Sequence, residues 1–146
     1  MATVVYLAGK MTGLPVKSAS QWRIEAAQEL GRDLEFAVLN PVDTEFTTGE
    51  IEREIVGCNK FQIRNSDVIL AELDHEDVSI GTVCEIVFAH MLGKPVVVWG
   101  MAFNVVCHPW VQQHTTARFD TLEEALKYIL RNYRKGGAAS NELHVS

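Results

Sequence analysis

The sequence predicts an α/β domain: a five-stranded parallel sheet, doubly wound in a flavodoxin- or Rossmann-like way, with helices on both faces. Three observations carry this. The strand candidates Val4–Ala8, Asp67–Leu73 and Pro95–Trp99 hold continuous apolar runs instead of alternating, as strands covered on both faces do. Stretches of helical period lie between them. Glycine or proline marks most of the junctions, as in a chain that switches element type often.

Taken in order, Val4–Ala8 is a buried strand stopped by Gly9, and the segment from Gly9 to Pro15 is a loop. Ser18 or Ser20 caps the next helix, Gln21 to Leu30, where Trp22, Ala26 and Leu30 share one face and Gly31 ends it. Glu35–Leu39 is the second strand, ended by Asn40-Pro41, and Asp43–Gly49 is a polar loop. Glu50–Asn65 reads as a helix with Ile51, Ile55, Cys58 and Gln62 on one side. Asp67–Leu73 is the third strand, Asp74–Ile80 a loop, and Thr82–Leu92 a helix closed by Gly93. Pro95–Trp99 is the fourth strand; Gly100–Gln113 mixes loop and short helix. Ala117–Phe119 is a short fifth strand. Thr121 with Glu124 forms a capping box for a final helix reaching Tyr133. Residues 1–134 make one domain, and 135–146 a glycine-containing flexible tail.

Composition narrows the function classes. A chain of 146 residues can bury roughly 70% of its unfolded surface. With 47% hydrophobic and 22% charged residues it is a globular protein and not a disordered one. The net charge of −6, without a basic block, excludes a general nucleic-acid binder, which needs clustered cations. No apolar run approaches the ~20 residues of a membrane span, and the start lacks the basic segment of a signal peptide. Cys58, Cys84 and Cys107 are odd in number and form no CxxC, which points to reduced thiols in the cytoplasm.

In parallel sheets of this kind ligands bind beyond the carboxyl ends of the strands. The loop at Ser79-Ile80-Gly81-Thr82 leads into a helix whose free amides attract anions, and Gly81 permits a tight turn there. Glu85 falls in or near the first helical turn, where the dipole favours a carboxylate. It is either a catalytic carboxylate or a solvated one. Tyr6 through Gly13 is a strand followed by a loop whose glycines, Gly9 and Gly13, let backbone amides approach a ligand, with Met11 and a phosphate-competent Lys10 between them. The loop is equally a simple turn with a solvated lysine. The five histidines match no metal spacing, and the acids Glu72, Asp74, Glu76 and Asp77 read as a solvated loop before a divalent-ion site. Trp110 is core, subunit packing or a base-stacking surface.

Together these segments resemble the nucleoside 2-deoxyribosyltransferase-like superfamily, which includes deoxyribosyltransferases and nucleoside 5′-monophosphate N-glycosidases. The resemblance rests on Tyr6-Leu-Ala-Gly, Ser66-Asp67-Val-Ile-Leu-Ala, Gly81-Thr-Val-Cys-Glu85, Ala89 and Gly93-Lys-Pro, and spans Tyr6 to about Trp110. It implies that Glu85 attacks or shields C1′ of the sugar while the base leaves, and that Tyr6 orients Glu85. No metal or redox cofactor is needed for that chemistry. Where the transferases carry Asp for the sugar 5′-hydroxyl, six residues before the glutamate, this chain has Ser79, as the monophosphate hydrolases do. The implied substrate is therefore a nucleoside 5′-monophosphate, with Gly9, Lys10, Gly13, Ser79 and Gly81 around its phosphate and sugar.

Two positions depart from the family pattern. Asn59 stands where an Asp handles the leaving base, and asparagine donates a hydrogen bond but supplies no proton. That implies a different base, such as a pyrimidine accepting from Asn59, or low activity. Thr12 stands where the hydrolases have Arg. The resemblance also implies a homodimer in which residues 104–110 complete the neighbouring site, with His108 near the phosphate and Trp110 near the base, and with Asn104 as a competitor in this stretch. The competing functions are base exchange by a nucleoside 2-deoxyribosyltransferase and a non-catalytic nucleotide-binding or signalling module.

Overall fold

The computed structural model describes residues 1–11, 16–41, 51–77 and 79–135. Their element order is β1 (Thr3–Ala8), α1 (Val16–Gly31), β2 (Phe36–Leu39), α2 (Ile51–Arg64), β3 (Val68–Glu72), α3 (Ile80–Met91), β4 (Val96–Trp99), α4 (Phe103–Val106), α5 (Pro109–Gln112), β5 (Ala117–Phe119) and α6 (Leu122–Asn132). The sheet order is β2-β1-β3-β4-β5. Every pairing is parallel, with registers such as Tyr6 opposite Ile69 and Glu72 opposite Trp99. This is the predicted flavodoxin-like α/β fold.

Strand side chains alternate faces, and this sheet buries both. Tyr6, Ala8, Ile69, Ala71, Val96 and Val98 point to one side, where they meet Ile63 of α2, Ile86 and Ala89 of α3 and Val111 of α5. Val5, Leu7, Val68, Leu70 and Val97 point to the other, against Trp22, Ala26 and Leu30 of α1 and Leu122, Ala125 and Ile129 of α6. The predicted α1 stripe is thus the buried one. Alternation also sends Tyr6 toward α3, which matters below.

The chain runs from β1 outward to β2, then returns past β1 to β3. The switch point lies between the carboxyl ends of β1 and β3, where this topology opens a crevice. Both loops that frame the crevice start there. β4 leaves the same edge through Gly100, whose φ of 131° favours glycine and whose added Cβ would lie 2.4 Å from the Leu73 carbonyl.

Several local expectations are corrected. α1 begins at Val16, so Ser18 and Ser20 lie inside the helix and are not its cap. Burial of Ala19 extends the Trp22-Ala26-Leu30 stripe back one turn, and that packing outweighs the modest propensity of serine. α2 is rotated from the predicted face: Ile55 is exposed, while Ile63 is buried. α3 starts two residues earlier than predicted, with Ser79 as its N-cap. Gly100–Gln113 resolves into two four-residue helices. The Thr121–Glu124 capping box forms as predicted. The 43–49 loop, Gly13 and the tail beyond residue 135 lie outside the described residues.

Candidate active site

The crevice is a cavity of about 420 Å³ at the switch point. Gly9, Lys10 and Met11 line it from β1, Asn59 from α2, and Ser79, Gly81 and Glu85 from the start of α3. Arg23, Pro41, Ile80 and Thr82 complete the lining. Seven residues singled out from the sequence therefore meet in one place, joined by buried Tyr6 behind Glu85.

Glu85 is at the centre. The Tyr6 hydroxyl and the Asn59 amide each donate to its Oε2 at 3.0 Å. Both donors go to the same oxygen, and among the described residues no hydrogen bond to Oε1 is found. Burial pushes the Glu85 carboxyl above the usual carboxylate range. The Tyr6 and Asn59 hydrogen bonds and the nearby charge of Arg23 work against that rise. Burial, together with the adjacent Glu85 charge, drives the Tyr6 phenol far upward, so it stays protonated and remains a donor.

The dipole argument for Glu85 is corrected by this geometry. With Ser79 as cap and Ile80 first in the helix, Glu85 lies beyond the first turn, and that turn holds no acid. The dipole fades within a turn, so desolvation dominates and the shift is upward. Gly81 is corrected too. It has no positive φ, and a Cβ there would touch nothing within 4 Å. It is an open lining position, not a turn requirement. Gly9 is the constrained one, since its Cβ would lie 2.8 Å from Cζ2 of Trp22.

Ser79 Oγ accepts from the Thr82 amide at 3.3 Å and lies 2.8 Å from Thr82 Oγ1, so a hydroxyl pair marks the anion-attracting end of α3. Lys10 reaches across the mouth to Asp77 at 3.6 Å. Asn59, expected from the resemblance to meet the leaving base, lines the pocket and donates to Glu85. The acidic loop is not wholly solvated either: Glu72 is only 5% exposed and sits 2.9 Å from His75 Nε2.

His108 and Trp110 do not reach this pocket in their own chain. They border a separate apolar cavity of about 570 Å³ with Val83, Val87, Phe88 and Met91 of α3. Trp110 is 58% exposed, so it is not core, and its ring stacks on His114. Ile80 lines both cavities. Arg23 was missed by sequence reading. Its signal was available: it falls at i−3 and i−7 from Ala26 and Leu30, a core-facing place for an ionisable residue.

A glutamate held by a tyrosine and an asparagine thus lies beside a hydroxyl-capped helix start at the switch point of an open parallel sheet, where α/β proteins bind small ligands. The profile of the nucleoside 2-deoxyribosyltransferase family matches residues 5–129, and the chain belongs to that family. Its superfamily comprises enzymes acting on N-glycosidic bonds of small nucleosides. No curated protein matches the sequence. Among solved structures, the 2-deoxyribosyltransferase of Bacillus psychrosaccharolyticus is similar at a TM-score of 0.67 and 21% identity, covering 92% of this chain and 94% of that one. The 2-deoxyribosyltransferase of Leishmania mexicana aligns at 0.67 and 22% identity, over 90% and 99%. The CMP N-glycosidase BcmB of Clostridium botulinum aligns at 0.57 and 18% identity, over 87% and 98%. No helix among the described residues is long and apolar enough to cross a membrane.

Proposed function

We propose that the protein hydrolyses the N-glycosidic bond of a nucleoside or deoxynucleoside 5′-monophosphate, releasing the free base and the sugar 5-phosphate. The observation that carries this reading is Ser79. It caps α3 and lines the pocket with Lys10, so a hydroxyl and an ammonium occupy the region where a 5′-substituent would lie. A carboxylate at that position would repel a phosphate dianion, whereas a hydroxyl and helix-start amides donate to it. A CMP N-glycosidase shares the fold, so the scaffold is compatible with a monophosphate substrate.

In the mechanism, Glu85 Oε1 attacks C1′ as the C1′–N bond breaks, and the bond's electron pair leaves with the base, which takes a proton from solvent water. Tyr6 and Asn59 hold Oε2 and keep the carboxylate aimed. Water then attacks C1′ and releases a proton to solvent, which replaces the one the base took up; the C1′–Oε1 bond breaks, and Glu85 is regenerated as the sugar phosphate departs. A retaining double displacement of this kind suits a carboxylate close to the reacting carbon.

The same reading makes the active form a homodimer. Exposed Ile80, Met91 and Trp110 line the apolar cavity that adjoins the pocket at Ile80. A second copy packed there would bring its His108 and Trp110 toward a site whose own described lining has no aromatic side chain. Sedimentation showing only monomer at assay concentration would remove this part. The free thiols of Cys58, Cys84 and Cys107 fit a cytoplasmic setting.

The second reading is base exchange, favoured by the family profile, which is that of the deoxyribosyltransferases. A chromatographic turnover screen separates the two. Ribo- and deoxynucleoside 5′-monophosphates, 5-substituted pyrimidines included, are incubated beside the matching nucleosides, with and without an acceptor base. Base released from monophosphates alone supports hydrolysis. Product formed only from nucleoside plus acceptor overturns it in favour of transfer. Ligand-induced thermal shifts without product identify a nucleotide-binding module instead.

A further inference from the structure

The acid-rich loop between β3 and α3 meets a cation of the pocket, and the chemistry described so far leaves it out. Lys10 lines the pocket, its side chain is 17% exposed, and its Nζ lies 3.6 Å from Oδ2 of Asp77. The Asp77 side chain is 89% exposed and stands outside the pocket lining. Two residues further on, Ser79 caps α3 and lines the pocket. One ammonium thus serves two places, the pocket and a solvent-facing carboxylate at its mouth. The loop that carries this carboxylate is tethered. The Leu73 amide donates to the Trp99 carbonyl at 2.7 Å, and the Leu73 carbonyl accepts from the Ala102 amide at 3.1 Å. Asp74 Oδ1 accepts from the Met101 amide at 3.0 Å, and His75 Nε2 lies 2.9 Å from Glu72 Oε2. These contacts fix the start of the loop on β3 and the β4 exit, and the Ser79 cap fixes its end on α3. Asp77 is therefore held beside Lys10 by a short span of chain, and exposed Asp74 and Glu76 give the rim the same sign.

We propose that Asp77 determines the length of phosphate chain the site accepts: a single phosphate is admitted, and a diphosphate or longer chain is turned away. This role rests on the monophosphate reading and deepens it. A phosphate seated between Ser79 and Lys10 takes over the ammonium, because it carries more charge than a carboxylate. Asp77 then turns to solvent at little cost, since an exposed ion pair contributes little in water. A second phosphate group has to project from the first toward the mouth, because the sugar and base occupy the pocket around Glu85. There it meets the Asp77 carboxylate and the acidic rim, and Lys10 faces more negative charge than it cancels. Like-charge contact of this kind rejects the wrong ligand without adding affinity for the right one. The acidic run read from the sequence as a solvated loop becomes a filter at the pocket mouth.

The test uses the full chain and needs no turnover. Orthophosphate and pyrophosphate are titrated calorimetrically into the ligand-free parent chain, Asp77→Asn and Asp77→Glu, at low and at high salt. Ser79→Asp serves as the chain whose pocket refuses both anions. The parent binds orthophosphate in preference to pyrophosphate. Asp77→Asn keeps the shape and loses the charge; it tightens pyrophosphate about tenfold and orthophosphate only about twofold, as relief of a partly solvated like-charge contact requires. The difference shrinks as salt rises, and Asp77→Glu keeps the parent's preference. Equal tightening of the two anions, no tightening, or a difference indifferent to salt overturns the filter and leaves the monophosphate reading in place. Anions held as well by Ser79→Asp, an adventitious ion only, or anions held by none of the chains refute the phosphate site and the filter with it. Where the turnover screen yields a monophosphate substrate, the diphosphate of the same nucleoside inhibits Asp77→Asn more strongly than the parent, and equal inhibition overturns the filter alone.

Discussion

Removing only the Tyr6 hydroxyl isolates what holds Glu85. Tyr6 is fully buried among Ile69, Ile86 and other apolar side chains, so phenylalanine keeps the ring packing. What is lost is the 3.0 Å hydrogen bond to Glu85 Oε2. A bond to a charged, desolvated acceptor contributes about 1.5–3 kcal/mol. It is made to the anion, so its loss favours the protonated acid. At 1.36 kcal/mol per pH unit, the acid limb of the kcat/KM profile should move up by about one to two units. Burial already holds Glu85 above the ordinary range, with Tyr6 as the first influence opposing it. The variant is therefore pushed further toward the neutral, inactive form than the parent chain at any given pH. The assay is base release across pH 5 to 9 for Tyr6→Phe and the parent chain, with denaturation curves confirming that both are folded. A profile that falls uniformly, with its acid limb in place, would refute the argument; Tyr6 would then act on orientation alone.

Other expectations follow from the same geometry. Glu85→Gln should abolish turnover and yet stabilise the fold at neutral pH. Because the folded carboxyl titrates above its unfolded value, its stabilising contribution is complete below the unfolded value and lost as pH rises through the folded one. The gain in Tm should hence vanish on acidification below about pH 4, and a constant gain at every pH would contradict burial as the cause. Ser79→Asp should shift preference from monophosphate toward unphosphorylated nucleoside; equal loss on both would mean that Ser79 does not read the phosphate. Gly100→Ala forces a Cβ to within 2.4 Å of the Leu73 backbone at a φ of 131°. It should cost about 3 kcal/mol or more in denaturant unfolding, and a cost under about 1 kcal/mol would show that the β4 exit relaxes freely.

Much of the fold was legible because its causes are local. Unbroken apolar runs specify strands buried on both faces, and Gly9, Gly31, Gly93 and Gly100 stand at element ends. The Trp22-Ala26-Leu30 period marks the buried side of α1, and Thr121 with Glu124 marks the start of α6. α2 was harder. Its apolar residues are few and partly exposed, so the period alone did not show that Ile63 turns inward while Ile55 faces solvent.

The site divides along the same line. Residue identity and order, through the family resemblance, were enough to single out Glu85, Tyr6, Asn59, Ser79 and Lys10. They could not set the sign of the Glu85 shift, since desolvation depends on every element packed around the carboxyl and the helix dipole on one turn only. Nor could they show Asn59 bound to Glu85, because α2 and α3 meet only after folding. His108 and Trp110 lie on a neighbouring apolar face for the same reason. Arg23 gives the clearest case. In sequence it is one charged residue in an amphipathic helix. Its hydrogen bonds to carbonyls at the end of β1 and to an amide beyond β2 exist only because the closed sheet brings those groups to one guanidinium.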